Sequence, residues 1–311
     1  MGAARQTISF LNRRFREVGL HPDSRRGQNF LIDLNLVQLL ADSAELAAGD
    51  VVLEIGTGIG SLTAIMAAVA DTVVTVEIDR NLYQLASEEL IEYDNVRMLC
   101  QDALKNKNNM NAQLIETVIA ALGPRCSAGA AGRSIIPGFK LAANLPYNIA
   151  TPILSNMLLT PVVPESMTVT IQRELAERIT ARPRCKDYSA LSVWMQVQCD
   201  TRIVRVMSPS VFWPRPKVES AVIRVVPRPD LRGRIPDLDF FHGFVRSVFR
   251  HRRKFLRSVL ISAYKRQLDK TAVDDILGGQ SIAPSCRAEE LDIDQMLSLC
   301  EAIRERLDKD T

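Results

Sequence analysis

Four consecutive residues, Asn144-Leu145-Pro146-Tyr147, combine an amide, a stiff turn and an aromatic ring directly after a short apolar run. The side-chain carbonyl of Asn144 and a backbone carbonyl at Leu145 or Pro146 could accept the two N–H groups of a primary amine. Pro146 donates no competing amide, and Tyr147 offers a ring on which a base can stack. No general base is required, so the contribution would be positioning and electrostatics. The tetrad therefore indicates chemistry at the exocyclic amine of an adenine.

A glycine-rich turn with Gly56, Gly58 and Gly60 follows the apolar run 51–55 and opens a helix. Glycines let the backbone approach a ligand closely, and a helix N-terminus offers free amides. Nicotinamide enzymes use a similar element, but their fingerprint has a third glycine where Ser61 stands. No catalytic set for hydride transfer follows, so the turn is assigned to a different nucleotide-like cofactor.

Two acidic residues end the next two predicted strands. Glu77 can accept hydrogen bonds from both hydroxyls of a ribose, and Asp102 can accept one from an adenine amine. The carboxyl ends of strands are where an open α/β sheet binds ligands. Together with the glycine turn, these residues predict a binding site for S-adenosylmethionine.

The elements that must position these residues form an alternating pattern. Short β-branched runs alternate with helical periodicity, which predicts βαβ units and a parallel sheet. The predicted fold is α/β, a Rossmann-like class I methyltransferase sheet within 1–228. After Pro227-Arg228-Pro229 the pattern is helical, which predicts a small helical domain at 229–311. The predicted strands are 51–55, 73–77, 96–100, 139–143, 167–171, 203–206 and 221–226.

Two stretches do not fit this alternation. Residues 1–23 are a polar, basic leader with a weak helical pattern. Residues 105–138 contain a plausible helix at 111–122, but asparagine, glycine and alanine dominate the rest, which is typical of a flexible surface insertion.

A basic block lies in the helical part. Eight Lys or Arg and no Asp or Glu occur between Arg246 and Arg266. At helical spacing, several of these side chains would share one face and contact RNA phosphates, which position a nucleic acid without specifying its sequence. The predicted RNA-binding residues are Arg246, Arg250, Arg253, Lys254 and Arg257.

Composition excludes several other classes. Hydrophobic residues make up 47% of the chain and charged residues 24%, as in an ordinary globular protein. Six scattered cysteines without a Cys-x-x-Cys pair and three histidines predict neither a metal site nor a disulfide framework. No apolar run is long enough to cross a bilayer, and the N-terminus lacks the apolar core of a signal peptide. A cytoplasmic monomer is expected.

These motifs resemble, nearly from end to end, the KsgA-type ribosomal RNA small-subunit adenine dimethyltransferases. Besides the sites above, the resemblance rests on an opening Gly-Gln-Asn-Phe-Leu motif, an aromatic, proline-rich segment and a closing motif. The matching segments are 27–31, 53–60, 76–79, 101–103, 144–152, 172–178, 186–189, 212–220 and 287–291.

The resemblance implies roles for particular residues. Phe212 would sandwich the target adenine against Tyr147. The family transfers two methyl groups to each of two adjacent adenosines near the 3′ end of 16S rRNA, so the implied partner is this rRNA within a pre-ribosomal particle. The implied cofactor contacts are Asn29, Leu31, Gly56, Gly58, Glu77, Asp102 and Asn144.

The chain departs from the family pattern at Thr57, where proline is usual, and at Ala150, where serine is usual. Two alternatives share the motifs: a resistance-type methyltransferase of large-subunit rRNA, and an assembly factor that binds nucleic acid without catalysis. The closing motif 287–291 and Leu145 favour the small subunit, and intact Asn144, Tyr147 and Glu77 favour catalysis.

Overall fold

The computed structural model describes residues 8–17, 19, 22, 27–129 and 133–309 of the 311-residue chain. The strands are β1 (Phe30–Leu31), β2 (Val51–Ile55), β3 (Thr72–Glu77), β4 (Val96–Cys100), β5 (Leu104–Asn106), β6 (Asn109–Met110), β7 (Ser134–Asn144), β8 (Val162–Gln172), β9 (Cys199–Met207), β10 (Phe212–Trp213) and β11 (Ser220–Pro227).

The helices begin with α1 in the leader and end near the carboxyl terminus. They are α1 (Ile8–Glu17), α2 (Leu34–Ser43), α3 (Ser61–Ala67), α4 (Arg80–Glu89), α5 (Ala112–Leu122), α6 (Ala150–Met157), α7 (Arg173–Ile179), α8 (Ala190–Gln196), α9 (Pro229–Arg232), α10 (Leu238–Val248), α11 (Leu256–Ala263), α12 (Lys270–Gly279) and α13 (Ile293–Lys309). None of the described helices is long and apolar enough to cross a membrane.

Seven strands form one sheet in the order β4-β3-β2-β7-β8-β11-β9. The pairs β2–β3, β3–β4, β2–β7 and β7–β8 are parallel, and β11 runs antiparallel to β8. The predicted α/β class is confirmed, and each predicted strand lies within an observed one. The chain lays down β2, β3 and β4 in one direction across the sheet and then returns to β7 beside β2. Ligands bind at such a switch point, beyond the carboxyl ends of the strands.

The helix predicted at 111–122 is confirmed by α5, whereas the flexible insertion predicted for 105–138 is wrong for most of its length. Its helix α5 packs against β2 and β3 and is the crossover from β4 to β7. Parallel strands require such a crossover, and the helix must bury an apolar face. The residues of that face are Leu114, Ile115, Val118 and Leu122.

The leader also contributes more than its weak pattern indicated. Leu11 and Phe15 of α1 are buried in a cluster that includes Phe30 and Leu82. The ring centroids of Phe15 and Phe30 are 5.2 Å apart, a separation typical of interacting aromatic pairs.

The chain divides into two compact units, and the division differs from the predicted domains. The first contains Met1–Ala176 and Arg202–Pro227, and the second contains Glu177–Thr201 and Arg228–Thr311. The predicted boundary at 228 therefore misassigns 177–201. Helix α8 packs with α10 and α13. Its Trp194 is buried, and the ring centroids of Trp194 and His242 of α10 are 4.4 Å apart.

Candidate active site

The carboxyl ends of β2, β3, β4 and β7 border two adjoining clefts that share Gly56, Glu77, Ile78 and Pro146. The first cleft contains about 800 Å³ of space, which includes the solvent at its open mouth. It is also lined by Asn29, Leu31, Gly58 and Asn144. The second is lined by Asp102 and Gln101. The fold thus brings every predicted cofactor residue to these two clefts.

The glycine turn approaches the tetrad closely. Gly56 has a φ of 87°, and a Cβ at this position would lie 3.3 Å from Cδ of Pro146. Its N–H donates to the carbonyl of Val76 at 2.8 Å, which ties the turn to β3. A side chain at Gly56 would therefore push the turn away from the loop that follows β7.

Glu77 is buried at the end of β3, and its carboxylate is held by the backbone. Its Oε2 accepts the N–H of Gly58, and its Oε1 accepts that of Asp79, both at 3.0 Å. Burial raises the pKa of Glu77, and these N–H groups oppose the rise. Each carboxylate oxygen retains acceptor capacity for a hydroxyl, so Glu77 can hold a ribose in the cleft.

Asp102 is exposed just beyond β4. Its Oδ1 accepts the N–H of Leu104 at 2.8 Å, which orients the carboxyl group. Beside it, the side-chain nitrogen of Gln101 is buried and has no hydrogen-bond partner among the described residues. The exposed carboxyl group of Asp102 is free to accept an adenine amine, and this role stays a prediction. The sequence analysis included Gln101 in the matching segment 101–103 but assigned it no role.

Asn144 is the last residue of β7, and its side chain is held in one orientation. Its Nδ2 donates to the backbone carbonyl of Asn29 at 2.9 Å. Its Oδ1 is buried and accepts no hydrogen bond from any described residue. A buried acceptor without a donor costs free energy, so this oxygen is a ready acceptor for an N–H of a ligand in the cleft.

The opening motif lies against the tetrad. Gly27 has a φ of 68°, and a Cβ there would lie 2.9 Å from Oδ1 of Asn148 and 3.0 Å from the backbone nitrogen of Tyr147. The Nδ2 of Asn29 donates to the carbonyl of Gly27 at 3.1 Å, which closes the turn. This close approach explains why a glycine begins the motif.

The two backbone carbonyls of the tetrad differ in availability. The carbonyl of Pro146 accepts the N–H of Ile149 at 3.1 Å. The N–H of Leu145 donates to the carbonyl of Thr170 at 3.2 Å, which fixes the peptide next to Asn144. Leu145 is therefore the better source of a second acceptor.

Tyr147 is partly buried, and its hydroxyl lies 2.5 Å from Oγ of Ser220. Burial raises the pKa of the Tyr147 hydroxyl, and the hydrogen bond with Ser220 partly opposes this rise. The sequence analysis assigned a role to the ring and none to the hydroxyl or to Ser220.

Phe212 does not have the exposed ring that the sandwich prediction requires. It is 2% exposed and belongs to the core cluster that contains Leu31, Val37 and Val222. Its strand β10 pairs with β1, which places it opposite Leu31. In this structure Phe212 is a core residue, because the β1–β10 pair turns its side chain inward.

Glu54, which the sequence analysis also missed, is a fully buried acid in β2 that lines the first cleft. Its Oε2 accepts hydrogen bonds from the hydroxyls of Thr63 and Thr75, both at 2.6 Å. Burial raises the pKa of Glu54 to about 8. The signal was its position within the otherwise apolar run 51–55.

The predicted basic face is not one helical face. Helix α10 ends at Val248 and α11 begins at Leu256, so the intervening residues are turns. Arg257 forms an ion pair with Asp274 at 2.5 and 2.7 Å. The nearby carboxylate weakens the attraction of Arg257 for a phosphate. The other predicted residues are exposed and have no ion pair within the described part of the chain: Arg246, Arg250, Arg253 and Lys254.

The family model described as ribosomal RNA adenine dimethylase matches residues 21–305. The chain belongs to this family. The dimethylase is thus an enzyme that uses S-adenosylmethionine and acts on ribosomal RNA, and the nicotinamide alternative is excluded.

Relatives match over nearly their whole lengths. The enzyme is 37% identical to Ribosomal RNA small subunit methyltransferase A of Moorella thermoacetica. The alignment spans 289 residues and covers 93% of this chain and 95% of that protein. It is 37% identical to the protein of the same name from Alkaliphilus metalliredigens, over 90% of this chain and 91% of that one.

Solved structures share the fold. A dimethyladenosine transferase from Plasmodium falciparum superposes with a TM-score of 0.69 at 21% identity, covering 88% of this chain and 97% of that one. The 23S rRNA methyltransferase ErmE superposes with a TM-score of 0.60 at 23% identity, covering 88% and 99%.

The residues of the clefts fit S-adenosylmethionine. The glycine turn allows close backbone approach, and buried Glu77 and exposed Asp102 lie at successive strand ends. The unpaired Oδ1 of Asn144 lies where the return strand β7 ends beside β2. This oxygen is an acceptor that an N–H group of a molecule in the cleft could use.

Proposed function

We propose that the dimethylase modifies the exocyclic amines of two adjacent adenosines near the 3′ end of 16S rRNA, within a pre-ribosomal particle in the cytoplasm, and that it acts as a monomer. The names of the relatives at 37% identity support the small subunit. The buried, unpaired Oδ1 of Asn144 supports the amine as the acceptor of the methyl group and carries the proposal.

Asn144 and Leu145 orient the amine. The Oδ1 of Asn144 accepts one N–H, and the carbonyl of Leu145 accepts the other. An adenine amine is a poor nucleophile because its lone pair is delocalised into the ring. Two acceptors outside the ring plane favour the pyramidal form, in which the lone pair is localised on nitrogen. The hydrogen bond from Nδ2 of Asn144 to the carbonyl of Asn29 orders the side-chain amide before the substrate binds, so less conformational entropy is lost on binding.

S-adenosylmethionine supplies the electrophilic methyl group when it is bound. Gly56, Gly58, Glu77 and Asp102 hold it in the two clefts. The amine keeps both of its protons until after attack and then releases one to solvent, so none of these residues has to act as a base. Backbone contacts hold Gly56, Glu77 and Asn144 before the reaction, which is how preorganised sites lower a barrier.

Tyr147 provides the surface on which the target base stacks. Such a base has to be unpaired or flipped out of its helix. Phe212 lies in the core, so the stacking is assigned to Tyr147 alone. The exposed cations Arg246, Arg250, Arg253 and Lys254 bind phosphates elsewhere on the RNA.

The deciding experiment uses small subunits from cells that lack this protein. Labelled methyl transfer, followed by mass spectrometry of the rRNA, should find dimethyladenosine at two adjacent positions near the 3′ end. Modification of isolated 23S rRNA in preference to small subunits would instead establish the large-subunit alternative. If Asn144→Ala restored the full cellular role, the binding-factor alternative would hold.

A further inference from the structure

Ser220 lies where the rigid part of the sheet meets the tetrad. It is fully buried and is the first residue of β11, where it pairs with Gln172 of β8. The preceding residue is also held, since the carbonyl of Glu219 accepts the N–H of Arg173 at 2.9 Å. The side chains of Glu219 and Arg173 form an ion pair at 2.7 Å. The backbone at Ser220 is therefore fixed on both sides.

The Oγ of Ser220 and the hydroxyl of Tyr147 share a hydrogen bond of 2.5 Å. Stacking uses only the face of a tyrosine ring, so the hydroxyl is not needed for the stack itself. A bond at the far end of the ring has a different consequence. It restricts rotation about both side-chain torsions and so sets the plane that the base meets.

Satisfying a buried hydroxyl does not by itself account for this contact. Tyr188 is fully buried, and its hydroxyl has no hydrogen-bond partner among the described residues. The same holds for the hydroxyl of Ser166 in β8. The fold thus tolerates unpaired hydroxyls of both residue types, whereas the hydroxyls of Tyr147 and Ser220 form a hydrogen bond with each other.

We propose that Ser220 is a positioning residue, which holds the ring of Tyr147 in the plane on which the target adenine stacks. This inference rests on the proposed function, because it assumes that the base stacks on Tyr147. Phe212 is buried in the core and does not offer its face to the base, so the orientation of the Tyr147 ring matters more. Ser220 acts through Tyr147 and does not touch the substrate.

The test removes the hydrogen bond from each side. Ser220→Ala and Tyr147→Phe should each lower kcat about 5- to 10-fold, since losing a hydrogen bond of about 1 to 1.4 kcal/mol corresponds to that range. The double variant should be no worse than either single one, because both remove the same interaction. The dissociation constant for S-adenosylmethionine should stay unchanged, since Ser220 does not line the cofactor clefts.

A spectroscopic readout separates positioning from general loss of structure. An RNA fragment with 2-aminopurine at the target adenosine reports stacking by quenched fluorescence. The wild-type enzyme and Ser166→Ala should quench it equally, whereas Ser220→Ala should quench it less. Ser166→Ala and Tyr188→Phe are the matched controls, because each removes an unpaired buried hydroxyl, and both should retain wild-type kcat.

Two failures can be told apart. If Tyr147→Ala keeps full activity, the stacking role in the proposed function is wrong. If Tyr147→Ala loses activity while Ser220→Ala and Tyr147→Phe keep wild-type kcat and quenching, only the positioning role of Ser220 is overturned. Additive losses in the double variant would also overturn it.

Discussion

The carboxyl edge of the sheet and the basic segment 246–257, which are the proposed cofactor and RNA sites, present their functional groups in opposite ways. At the edge, functional groups such as Glu77 and Asn144 are anchored by backbone atoms. In the basic segment, cations such as Arg250 and Arg253 lie in exposed turns and form no ion pair with any described residue. The sheet edge therefore offers groups in fixed positions, whereas the basic segment offers exposed positive charge.

This difference predicts how each region responds to change. A buried, anchored group responds to shape and pH, because its environment is desolvated. An exposed cation responds to salt, because counterions screen it. The edge should therefore show large, local effects of mutation, and the segment small, graded ones.

The largest effect is expected for Asn144→Ala. It removes the acceptor for the amine and the anchor to Asn29, so kcat/KM should fall at least about 100-fold, as for loss of a preorganised hydrogen-bonding group. Methyl transfer to small subunits at saturating cofactor measures it. Asn95→Ala is the control: its Nδ2 donates to the carbonyls of Ala67 and Ala70, so it should lower stability and keep kcat. Near-normal turnover by Asn144→Ala would remove the contrast between the regions.

A pH effect should follow from Glu54, whose pKa burial raises from an ordinary 4.5 to about 8. The folded protein holds a proton that the unfolded chain releases, so stability falls as pH rises between these values and is level above about 8. Glu54 should cost on the order of 2–4 kcal/mol of unfolding free energy between about pH 5 and pH 8.

Urea unfolding of the wild type and of Glu54→Gln at both pH values tests this effect. The variant should lose most of the slope and keep the part due to Glu77, whose pKa burial also raises. Equal slopes in the two proteins would show that Glu54 is ionised in the fold.

Gly27→Ala should disturb the loop that carries the tetrad. The added Cβ would meet Asn148 and the backbone of Tyr147, and we expect about a tenfold lower kcat/KM, equivalent to about 1.4 kcal/mol. Gly19→Ala is a matched control, because Gly19 has a φ of 66° and a Cβ there would meet no atom of the described residues within 4 Å. It shares the backbone strain without the collision, so its turnover should be normal. Equal losses in both variants would assign the effect to strain alone.

The smallest effects are expected in the basic segment. Arg253→Ala should weaken RNA binding about 3- to 10-fold and lower the salt slope by about one. Arg257→Ala should change affinity less, because Asp274 already pairs with Arg257. Filter binding at several salt concentrations measures both.

Asp274→Ala completes this test by releasing the charge of Arg257. It should strengthen RNA binding if the segment acts by unpaired charge. Equal weakening by Arg253→Ala and Arg257→Ala, with no gain from Asp274→Ala, would show that the segment recognises RNA by a fixed geometry like that of the sheet edge.

The same contrast explains which parts could be predicted from the sequence. Glycines, Glu77, Asp102 and Asn144 lie at strand ends, and parallel strands bring their carboxyl ends together, so local patterns sufficed to assemble the cleft. The prediction of a single basic face was wrong because it assumed helical spacing through the turns between α10 and α11. Its charges also depend on Asp274 and on Glu289, which pairs with Arg252, and no local pattern links these acids to the segment.

The sequence by itself determined the α/β class, the order of the strands along the chain, the cofactor edge and the tetrad. These follow from periodicity and from residues close together in the chain. Tertiary structure alone decided that Phe212 is a core residue, that 177–201 joins the helical unit, and that Ser220 meets Tyr147. Each of these depends on which distant segments pack together, since burial and pairing are properties of neighbours in space.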